Sequence, residues 1–515
     1  MDGCQWFIDT LRRNGVRLWA ENGQLHYQAP RGALNQADLV RLMEYKEQIV
    51  ALLENTSTPA AGLRLVGGSV RPGPAPLSFS QLAHWNHFRL SERLAVRQIA
   101  AALRLRGPLD IKALQASVSS ILARHDALRT RFYVRDNTPI QEIAERSRSE
   151  LEVVNLCTLS EPARSHEIER QIENLITDPV NVATGPLFGV RLLKLDSTEH
   201  VLIVAMEHLI SDAVSREILL RDLLATYAQE CHRRIARLPV IPVQFIDYAR
   251  WQRAAYEAWL QTSGARRLDS LRAREGAFFP VTARPTEVNG LGRGAVPLII
   301  PRDLKRGLLE WCRTNRTTLP MCLFSAYTAL VMRWCDTSQY VMRYQTDGRL
   351  HPEIEHTMGY FASVLYVCAS SSRNGMFADL VAHLTQEYCE AYEDCDFSSA
   401  ESLRPTSEFV RNAGFNWVPR AQAAKAATSA DELVCSPVRF RHPMLRNLER
   451  HRDLDSDAEP VLLLYDGEHD VRGNICFSRN RITTADMERF ARTFLLLLYQ
   501  LRQNPLLRLR DVVAA

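Results

Sequence analysis

The spacing of apolar and polar residues predicts an alternation of helices and strands along most of the chain. Apolar residues recur at helical spacing over residues 111–123, 216–230, 303–315, 320–334 and 484–502. Alternating or continuous apolar runs predict strands over residues 98–105, 187–195, 200–205, 296–300, 339–344, 361–368, 461–465 and 473–478. The pattern therefore predicts an α/β protein with a second strand-and-helix half that begins near Val296.

The first 55 residues follow a pattern of their own. A helical pattern over residues 4–14 precedes two alternating stretches, residues 16–20 and 25–29, which flank an Asn-Gly dipeptide typical of a tight hairpin. Apolar residues at helical spacing then run from residue 39 to residue 53. The order predicts a small helix–hairpin–helix domain over residues 1–55, whose hairpin keeps an open edge that can take another strand.

A linker separates this unit from the rest. Residues 56–76 are rich in Thr, Ser, Pro, Gly and Ala, a composition typical of linkers. We divide the remainder into an N-terminal half over residues 77–270 and a C-terminal half over residues 271–515. A cleft between two α/β halves is a common place for a ligand site.

Composition and charge narrow the class of protein. The net charge of +4 over 515 residues, with no run of Lys or Arg, argues against a nucleic acid partner. The eleven cysteines form no CxxC pair, which predicts free thiols and no metal site. No apolar run has transmembrane length and the N-terminus does not resemble a signal peptide, so we expect a cytoplasmic protein without a membrane partner.

The candidate chemistry lies just after the predicted strand over residues 200–205. His208 and Asp212 follow it, at a strand end that can present an imidazole to a cavity. A histidine with a near-neutral pKa can accept a proton from an amine or a hydroxyl. The chain has no GxSxG nucleophile elbow and no HExxH zinc spacing. On this pattern alone, a structural histidine is favoured over a catalytic one.

Residues 206–213 resemble the HHxxxDG motif of nonribosomal peptide synthetase condensation domains, with Glu207 in place of the first His and Ala213 in place of the Gly. Further segments resemble motifs of that family in the family's order: 77–85 its LSxAQxRLW, 124–132 its RHExLRTxF, 182–188 its LxxGPLF, 244–252 its QYxDYAxWQ, 347–349 its SGR, and 358–363 its IGxFVN with Ser363 at the usual Asn. Residues 1–55 are similar to a TubC-type β-hairpin docking domain. The chain thus resembles a stand-alone condensation domain with an N-terminal docking domain.

The resemblance implies a fold and roles for four residues. Two chloramphenicol-acetyltransferase-like lobes would form a V, with a tunnel between them that is open to a donor and to an acceptor. His208 corresponds to the catalytic histidine, which positions or deprotonates the attacking group. Asp212 corresponds to a structural aspartate, for which Arg349 is the first predicted partner and Arg129 the second. Glu207 departs from the motif, and its carboxylate is expected to raise the pKa of His208 or to orient the loop.

The resemblance also implies a reaction and partners. The expected reaction is acyl transfer from a carrier-bound thioester to an amine or a hydroxyl, in trans, in a nonribosomal peptide or hybrid polyketide pathway. We expect no tightly bound cofactor, because an upstream acyl or peptidyl carrier protein, recruited through the docking hairpin, supplies the phosphopantetheine arm. Since neither an adenylation nor a carrier domain follows in this sequence, chain release onto a free small molecule is expected. A carrier-bound nucleophile fits the sequence equally well.

The alternative is a catalytically inactive condensation-fold scaffold that recruits partners to a carrier-bound chain. Glu207 fits that interpretation, because such members alter the active-site motif, whereas the retained His208 and Asp212 argue against it. An epimerisation domain is disfavoured by the N-terminal docking unit. Heterocyclisation is disfavoured because that class replaces the paired histidines with Asp.

Overall fold

The alternating residues near the start of the chain form an antiparallel hairpin. In the computed structural model the described residues are 17–21, 24–28, 36–50, 65, 73–90, 96–146, 149–232, 238–272, 274, 279–282, 293–372, 374–401, 412–419, 433–438, 440 and 460–512. Strands β1 (Arg17–Glu21) and β2 (Gln24–Gln28) pair with each other, and helix α1 (Gln36–Glu44) follows. The predicted hairpin is confirmed, and the predicted helix over residues 4–14 lies outside the described residues.

Strands and helices alternate through the N-terminal half. Its strands are β3 (Ala75–Pro76), β4 (Ile99–Arg106), β5 (Thr130–Arg135), β6 (Thr138–Ile143), β7 (Leu151–Asn155), β8 (Phe188–Lys194) and β9 (Glu199–Met206). Its helices are α2 (Phe79–Leu90), α3 (Ile111–Arg124), α4 (Glu161–Thr177), α5 (Ala213–His232), α6 (Phe245–Trp259) and α7 (Ala265–Arg272). The elements predicted from apolar spacing in this half are confirmed, with ends that differ by up to three residues.

The C-terminal half repeats the alternation. Its strands are β10 (Arg293–Ile300), β11 (Gln339–Thr346), β12 (Ser363–Ser370), β13 (Gly414–Val418), β14 (Val434–Pro437), β15 (Val461–Asp466) and β16 (Val471–Ser478). Its helices are α8 (Arg302–Thr314), α9 (Leu319–Trp334), α10 (Phe377–Glu393), α11 (Cys395–Glu401) and α12 (Thr484–Gln503). The side chains of Thr318 and Thr483 accept hydrogen bonds from backbone N–H groups and so cap α9 and α12.

A six-stranded sheet organises this half, in the order β10-β16-β15-β13-β11-β12. Helix α9 is mostly apolar, and nearly every side chain from Leu319 to Met332 is buried. A helix of that kind needs neighbours on all sides. It belongs to a core that also takes in side chains from α8, α10, α12 and the sheet. Among the described residues, no helix is long and apolar enough to cross a membrane.

Strand β9 lies at the centre of the N-terminal sheet and carries the candidate site at its end. Leu202, Val204 and Met206 pack into a core with α3 and α5. The residues between them point to the other face, where Val201 and Ile203 pack into a core with α4. A strand that is buried on both faces has little freedom to move. The residues directly after β9 are therefore attached to a rigid strand.

The N-terminal sheet is completed by a strand from the C-terminal half. Its order is β14-β4-β9-β8-β7, and β14 pairs antiparallel with β4 from Val434↔Arg106 to Pro437↔Leu103. The N-terminal sheet therefore contains a strand from beyond the predicted boundary near residue 270. The pairing of β14 with β4 ties the two halves together independently of the contacts at the candidate site.

A buried ionic cluster joins α3 to α5 behind the N-terminal sheet. The Asp222 carboxylate lies 3.0 Å from His125 Nε2 and 2.9 Å from Arg124 Nε, and it also pairs with Arg221. Burial alone would raise the pKa of Asp222, but hydrogen bonds from His125 and Arg124 and the charge of Arg221 lower it to about 2. Arg124 and His125, the members of segment 124–132 in this cluster, therefore have a structural role.

Candidate active site

The turn after β9 is shaped by its own backbone and by Glu207. Residues His208–Ile210 form one turn of 3₁₀ helix. The Glu207 N–H donates to the carbonyl oxygen of Leu187 at 2.9 Å, and the Glu207 side chain accepts a short hydrogen bond from the N–H of Leu209. The Ser211 hydroxyl donates to the Glu207 carbonyl oxygen at 2.8 Å. Glu207 therefore caps the turn that presents His208.

The hydrogen bond of His208 defines which of its nitrogens can act as a base. Nδ1 lies 2.8 Å from the carbonyl oxygen of Ser211. Because a carbonyl oxygen only accepts, Nδ1 carries the proton and Nε2 of the neutral ring has a free lone pair. Burial lowers the pKa of His208 below its ordinary 6.5, and His84 lowers it further, against the opposing charge of Glu207. His208 is therefore a neutral base near pH 7.

Asp212 is clamped by Arg349. Arg349 Nη1 lies 2.8 Å from Asp212 Oδ2 and Nη2 lies 3.1 Å from Oδ1, which makes a bidentate pair with both side chains buried. Burial alone would raise the pKa of Asp212, but the charge and hydrogen bonds of Arg349 hold it below its ordinary value. The second predicted partner, Arg129, lies elsewhere and bonds to Asp126 and to the carbonyl oxygens of Leu122 and Ala144.

The same cluster holds the two halves of the chain together beside His208. The hydroxyl of Ser215, on α5, lies 2.8 Å from Asp212 Oδ1 and accepts the N–H of Gly359 at 3.0 Å. The N–H of Phe361 donates to Asp212 Oδ2 at 3.1 Å, and Arg349 Nη2 donates to the carbonyl oxygen of Thr357 at 3.2 Å. The segment 357–361 is thereby fixed against the start of α5.

Two residues that the motifs did not single out complete the surroundings of His208. Tyr360 and His84 have ring centroids 4.4 Å and 5.5 Å from that of His208, and 5.7 Å from each other. Burial and the nearby charges of Glu207 and Asp212 raise the pKa of the Tyr360 hydroxyl above its ordinary value. His84 could have been noticed in the sequence, because it stands at a motif position where Leu is usual. Tyr360 gave no such signal, because it stands at a variable motif position.

His84 also contacts the residue that departs from the motif. Its Nε2 lies 3.5 Å from Glu207 Oε1, and the Glu207 side chain is only 1% exposed. The site thus brings together the three predicted residues Glu207, His208 and Asp212 with Arg349 from the C-terminal half. It adds the imidazole of His84 and the phenol of Tyr360, which lie next to His208 and next to each other.

A cavity of about 960 Å³ lies in the N-terminal half, near but not at this site. Leu187, Ile246, Arg129 and Arg250 are among its lining residues, and His208 is not. One of its lining residues, Leu187, contacts the site, since its carbonyl oxygen accepts the N–H of Glu207. Within the described part of the chain, no group of three or more His, Cys, Asp or Glu side chains could hold a metal ion.

The chain belongs to the condensation-domain family. The family model described as "Condensation domain" matches residues 73–514, and the one described as "TubC N-terminal docking domain" matches residues 5–55. The resemblance found in the motifs is therefore confirmed. A linear gramicidin synthase polypeptide of Brevibacillus parabrevis is 30% identical over 356 residues, which are 68% of this chain and 7% of that protein. The chain thus spans a small fraction of this relative's length.

Solved structures confirm the fold. A condensation domain studied for chain release from the enacyloxin polyketide synthase is 20% identical, with a TM-score of 0.66 over 100% of this chain and 97% of its own. The X-domain from teicoplanin biosynthesis, solved in complex with OxyB, is 20% identical, with a TM-score of 0.68 over 88% of this chain and 99% of its own. At this identity the likeness shows the predicted α/β, chloramphenicol-acetyltransferase-like fold alone.

Gly348, next to the clamp residue Arg349, offers a test of the clamp. Its φ is +66°, and a Cβ there would collide with the carbonyl oxygen of Phe361. Gly73 has a φ of +111° with nothing within 4 Å of its Cβ position, so it is a control for a positive φ without a collision. We expect Gly73→Ala to cost about 1–3 kcal/mol for the strained backbone alone. Gly348→Ala should cost roughly 1–3 kcal/mol more.

Thermal unfolding of both variants measures this difference. The Gly348→Ala variant should unfold at a clearly lower midpoint than the Gly73→Ala variant. Equal midpoints would show that the segment carrying Arg349 can move away from Phe361 without cost.

Proposed function

We propose that this chain transfers an acyl group from a carrier-bound thioester to an amine or a hydroxyl and so forms an amide or an ester. The observation that carries the proposal is the neutral imidazole of His208, whose Nδ1 donates to Ser211 and whose Nε2 remains free. A free imidazole nitrogen beside a bound thioester is suited to accept a proton from the attacking group. The clamp of Asp212 and Arg349 keeps the loop in that geometry.

The proposed reaction balances with His208 as the sole proton carrier. The amine nitrogen or hydroxyl oxygen attacks the thioester carbonyl carbon, and its proton passes to His208 Nε2 as the new C–N or C–O bond forms. The tetrahedral intermediate, with its negative oxygen, then collapses and the C–S bond breaks. His208 returns the proton to the thiolate that leaves. The thioester is the activated group, so the step requires no further cofactor.

The donor is proposed to arrive on the phosphopantetheine arm of a carrier protein, through a tunnel between two lobes arranged as a V. The proposal is supported by the origin of the groups around the base. His208 and His84 come from the N-terminal half, whereas Tyr360 comes from the C-terminal half. A substrate beside His208 therefore lies at the junction of the halves, where donor and acceptor can approach from different sides.

We place this reaction in a nonribosomal peptide or hybrid polyketide pathway, with release onto a free small molecule as the favoured outcome. Supporting this, a structural neighbour whose alignment covers all of this chain was studied for condensation domain-mediated chain release. A carrier-bound acceptor is the other form of the same reaction. The competing function is a scaffold without turnover. Two observations favour it: Glu207 stands at the position of the motif's first His, and the fold is similar to an X-domain that was solved in complex with OxyB.

The first test of this proposal is His208→Ala. A carrier domain loaded with a panel of acyl-phosphopantetheine arms is mixed with free amines and alcohols, and the products are read by mass spectrometry. We expect the wild-type chain to form amides or esters and His208→Ala to be slower by about 10²–10⁴-fold, because general base catalysis contributes that much. His166→Ala, at an exposed position on α4, is the control and should keep the wild-type rate.

The outcomes separate the functions. Rapid turnover by His208→Ala contradicts the mechanism. No turnover by the wild-type chain with any donor and acceptor of the panel supports the scaffold instead. The thermal unfolding midpoint of His208→Ala should stay near that of the wild type, because His208 is partly exposed.

The pH dependence of the rate tests the protonation state of His208. A protonated imidazole cannot accept the proton of the nucleophile, so kcat/KM falls as pH falls through the pKa of His208. Because burial lowers that pKa from 6.5, the rate should be level near pH 7 and decline only below 6.5. An alcohol acceptor is used, since it does not itself titrate in this range. A decline centred above pH 7 would contradict a lowered pKa.

We further propose that the hairpin recruits the upstream acyl or peptidyl carrier protein. Within the described residues, β1 and β2 pair only with each other, so each leaves one edge free for an added strand. Tyr27 on β2 is 49% exposed and offers an apolar surface to such a strand. Lys46 donates to the Gln24 side chain at 2.6 Å, which holds the following helical segment against the hairpin.

Tyr27→Ala tests this docking. We expect KM for an acylated carrier protein from the same pathway, with its own C-terminal tail, to rise about tenfold, since losing one buried aromatic contact costs about 1.4 kcal/mol or more. The maximal rate, and the rate with a carrier-free N-acetylcysteamine thioester, should not change. Val153→Ala, at a similarly exposed position on β7, is the control. An unchanged KM would place the docking surface elsewhere.

A further inference from the structure

We propose that His84 and Glu207 act as one unit, in which His84 is a positioning residue that holds the Glu207 carboxylate and adjusts the basicity of His208. The unit stands in place of the histidine that the family motif has at position 207. The inference rests on the proposed function for its role in turnover, but the pairing itself can be tested without turnover.

The burial of Glu207 requires a partner for its carboxylate. The side chain is 1% exposed, and a buried carboxylate without partners is strongly unfavourable. Oε2 accepts the N–H of Leu209, which leaves Oε1. Among the described residues, His84 is the one basic group within 4 Å of this carboxylate. The Leu209 N–H and His84 therefore provide one partner for each oxygen of Glu207.

Helix α2 is fixed to the same turn that carries His208, so the position of His84 is not accidental. Gln81 lies one helical turn before His84, and its Nε2 donates to the carbonyl oxygen of Leu209 at 2.8 Å. The same group lies 3.3 Å from Gln141 Oε1 on β6. Gln81 thereby anchors α2 at the turn after β9, and His84 extends from the next turn of the helix toward Glu207.

Two departures from the family motifs meet in this contact. Glu207 stands where the HHxxxDG motif has His, and His84 stands where the LSxAQxRLW motif has Leu. The two positions are far apart in sequence, yet their side chains touch. An imidazole is thus kept near this point, but it comes from helix α2, and the loop supplies a carboxylate instead. A compensating exchange explains both substitutions with one cause.

The pair acts on His208 through charge. Within the part of the chain that the structure describes, His84 faces the Glu207 carboxylate, the ring of His208 and the ring of Tyr360. A positive charge on His84 disfavours protonation of His208, whereas the charge on Glu207 favours it. The two members therefore act on the proposed base in opposite directions, and neither interferes with the hydrogen bond from Nδ1 to Ser211.

The pairing is tested first by titration of His208 in the full chain with isotope-labelled histidine side chains, followed by NMR. His84→Leu should raise the pKa of His208, and Glu207→Gln should lower it. His166→Leu, at an exposed position on α4, should leave it unchanged. Shifts in the same direction for the first two variants, or no shift in either, would overturn the inference. This arm requires no acyl substrate.

The second test restores the family residues in turn. With the donor and acceptor that react fastest in the mass-spectrometric assay, His84→Leu and Glu207→His should each lower kcat about tenfold, because each breaks the contact that holds Glu207 and the turn carrying His208 in place. The double variant carries both motif residues and should return to within about threefold of the wild type, because residues in contact do not act additively. A double variant that is at least as slow as either single variant, or full activity of His84→Leu alone, would contradict the inference.

The titration and the activity assay distinguish failure of the proposed function from failure of the His84–Glu207 pairing. If the wild-type chain shows no turnover, the proposed function fails, while the titration still decides whether His84 and Glu207 form one unit. If the chain turns over and His208 titrates identically in all variants, acyl transfer stands and the paired role of His84 fails.

Discussion

The buried ion pair between Asp212 and Arg349 is the interaction on which the site depends. It joins the start of α5 to segment 357–361, and so it determines how the two halves of the chain face each other beside His208. Losing one partner of a buried pair leaves the other charge uncompensated, which typically costs about 3–5 kcal/mol. Its bidentate geometry leaves little freedom of orientation. The rigid strand β9 supplies the fixed side of this junction.

The loop around His208 divides its tasks among different groups. The backbone of Ser211 sets the tautomer, Asp212 and Arg349 fix the loop, and Glu207 caps the turn. Neither Glu207 nor Asp212 is hydrogen-bonded to the imidazole, and Glu207 affects the pKa of His208 through its charge alone. This arrangement allows Glu207 to replace a histidine while the base keeps its geometry. Turnover and recruitment of a carrier protein are proposals that build on it.

Long segments with a periodic or continuous apolar pattern were predictable from the sequence because that pattern reflects burial in a core. Helices α9 and α12 and strands β9 and β11 are of this kind. The hairpin of β5 and β6 and the helix α4 were not predicted. α4 is rich in charged residues, with apolar side chains only along one narrow face. At the site, ordered motifs led to His208, Asp212 and Arg349, since those residue types recur at defined places in the family.

The sequence by itself determined the family, the α/β class, the hairpin near the N-terminus and the candidate site residues His208, Asp212 and Arg349, because each leaves a local pattern or motif. Only the tertiary structure decided that β14 completes the sheet of the other half, and that His84 and Tyr360 stand beside His208. These contacts join residues far apart in the chain, and local periodicity holds no information about which distant segments pack together. The meaning of Glu207 depended on such a contact, because its partner lies on a helix more than a hundred residues earlier.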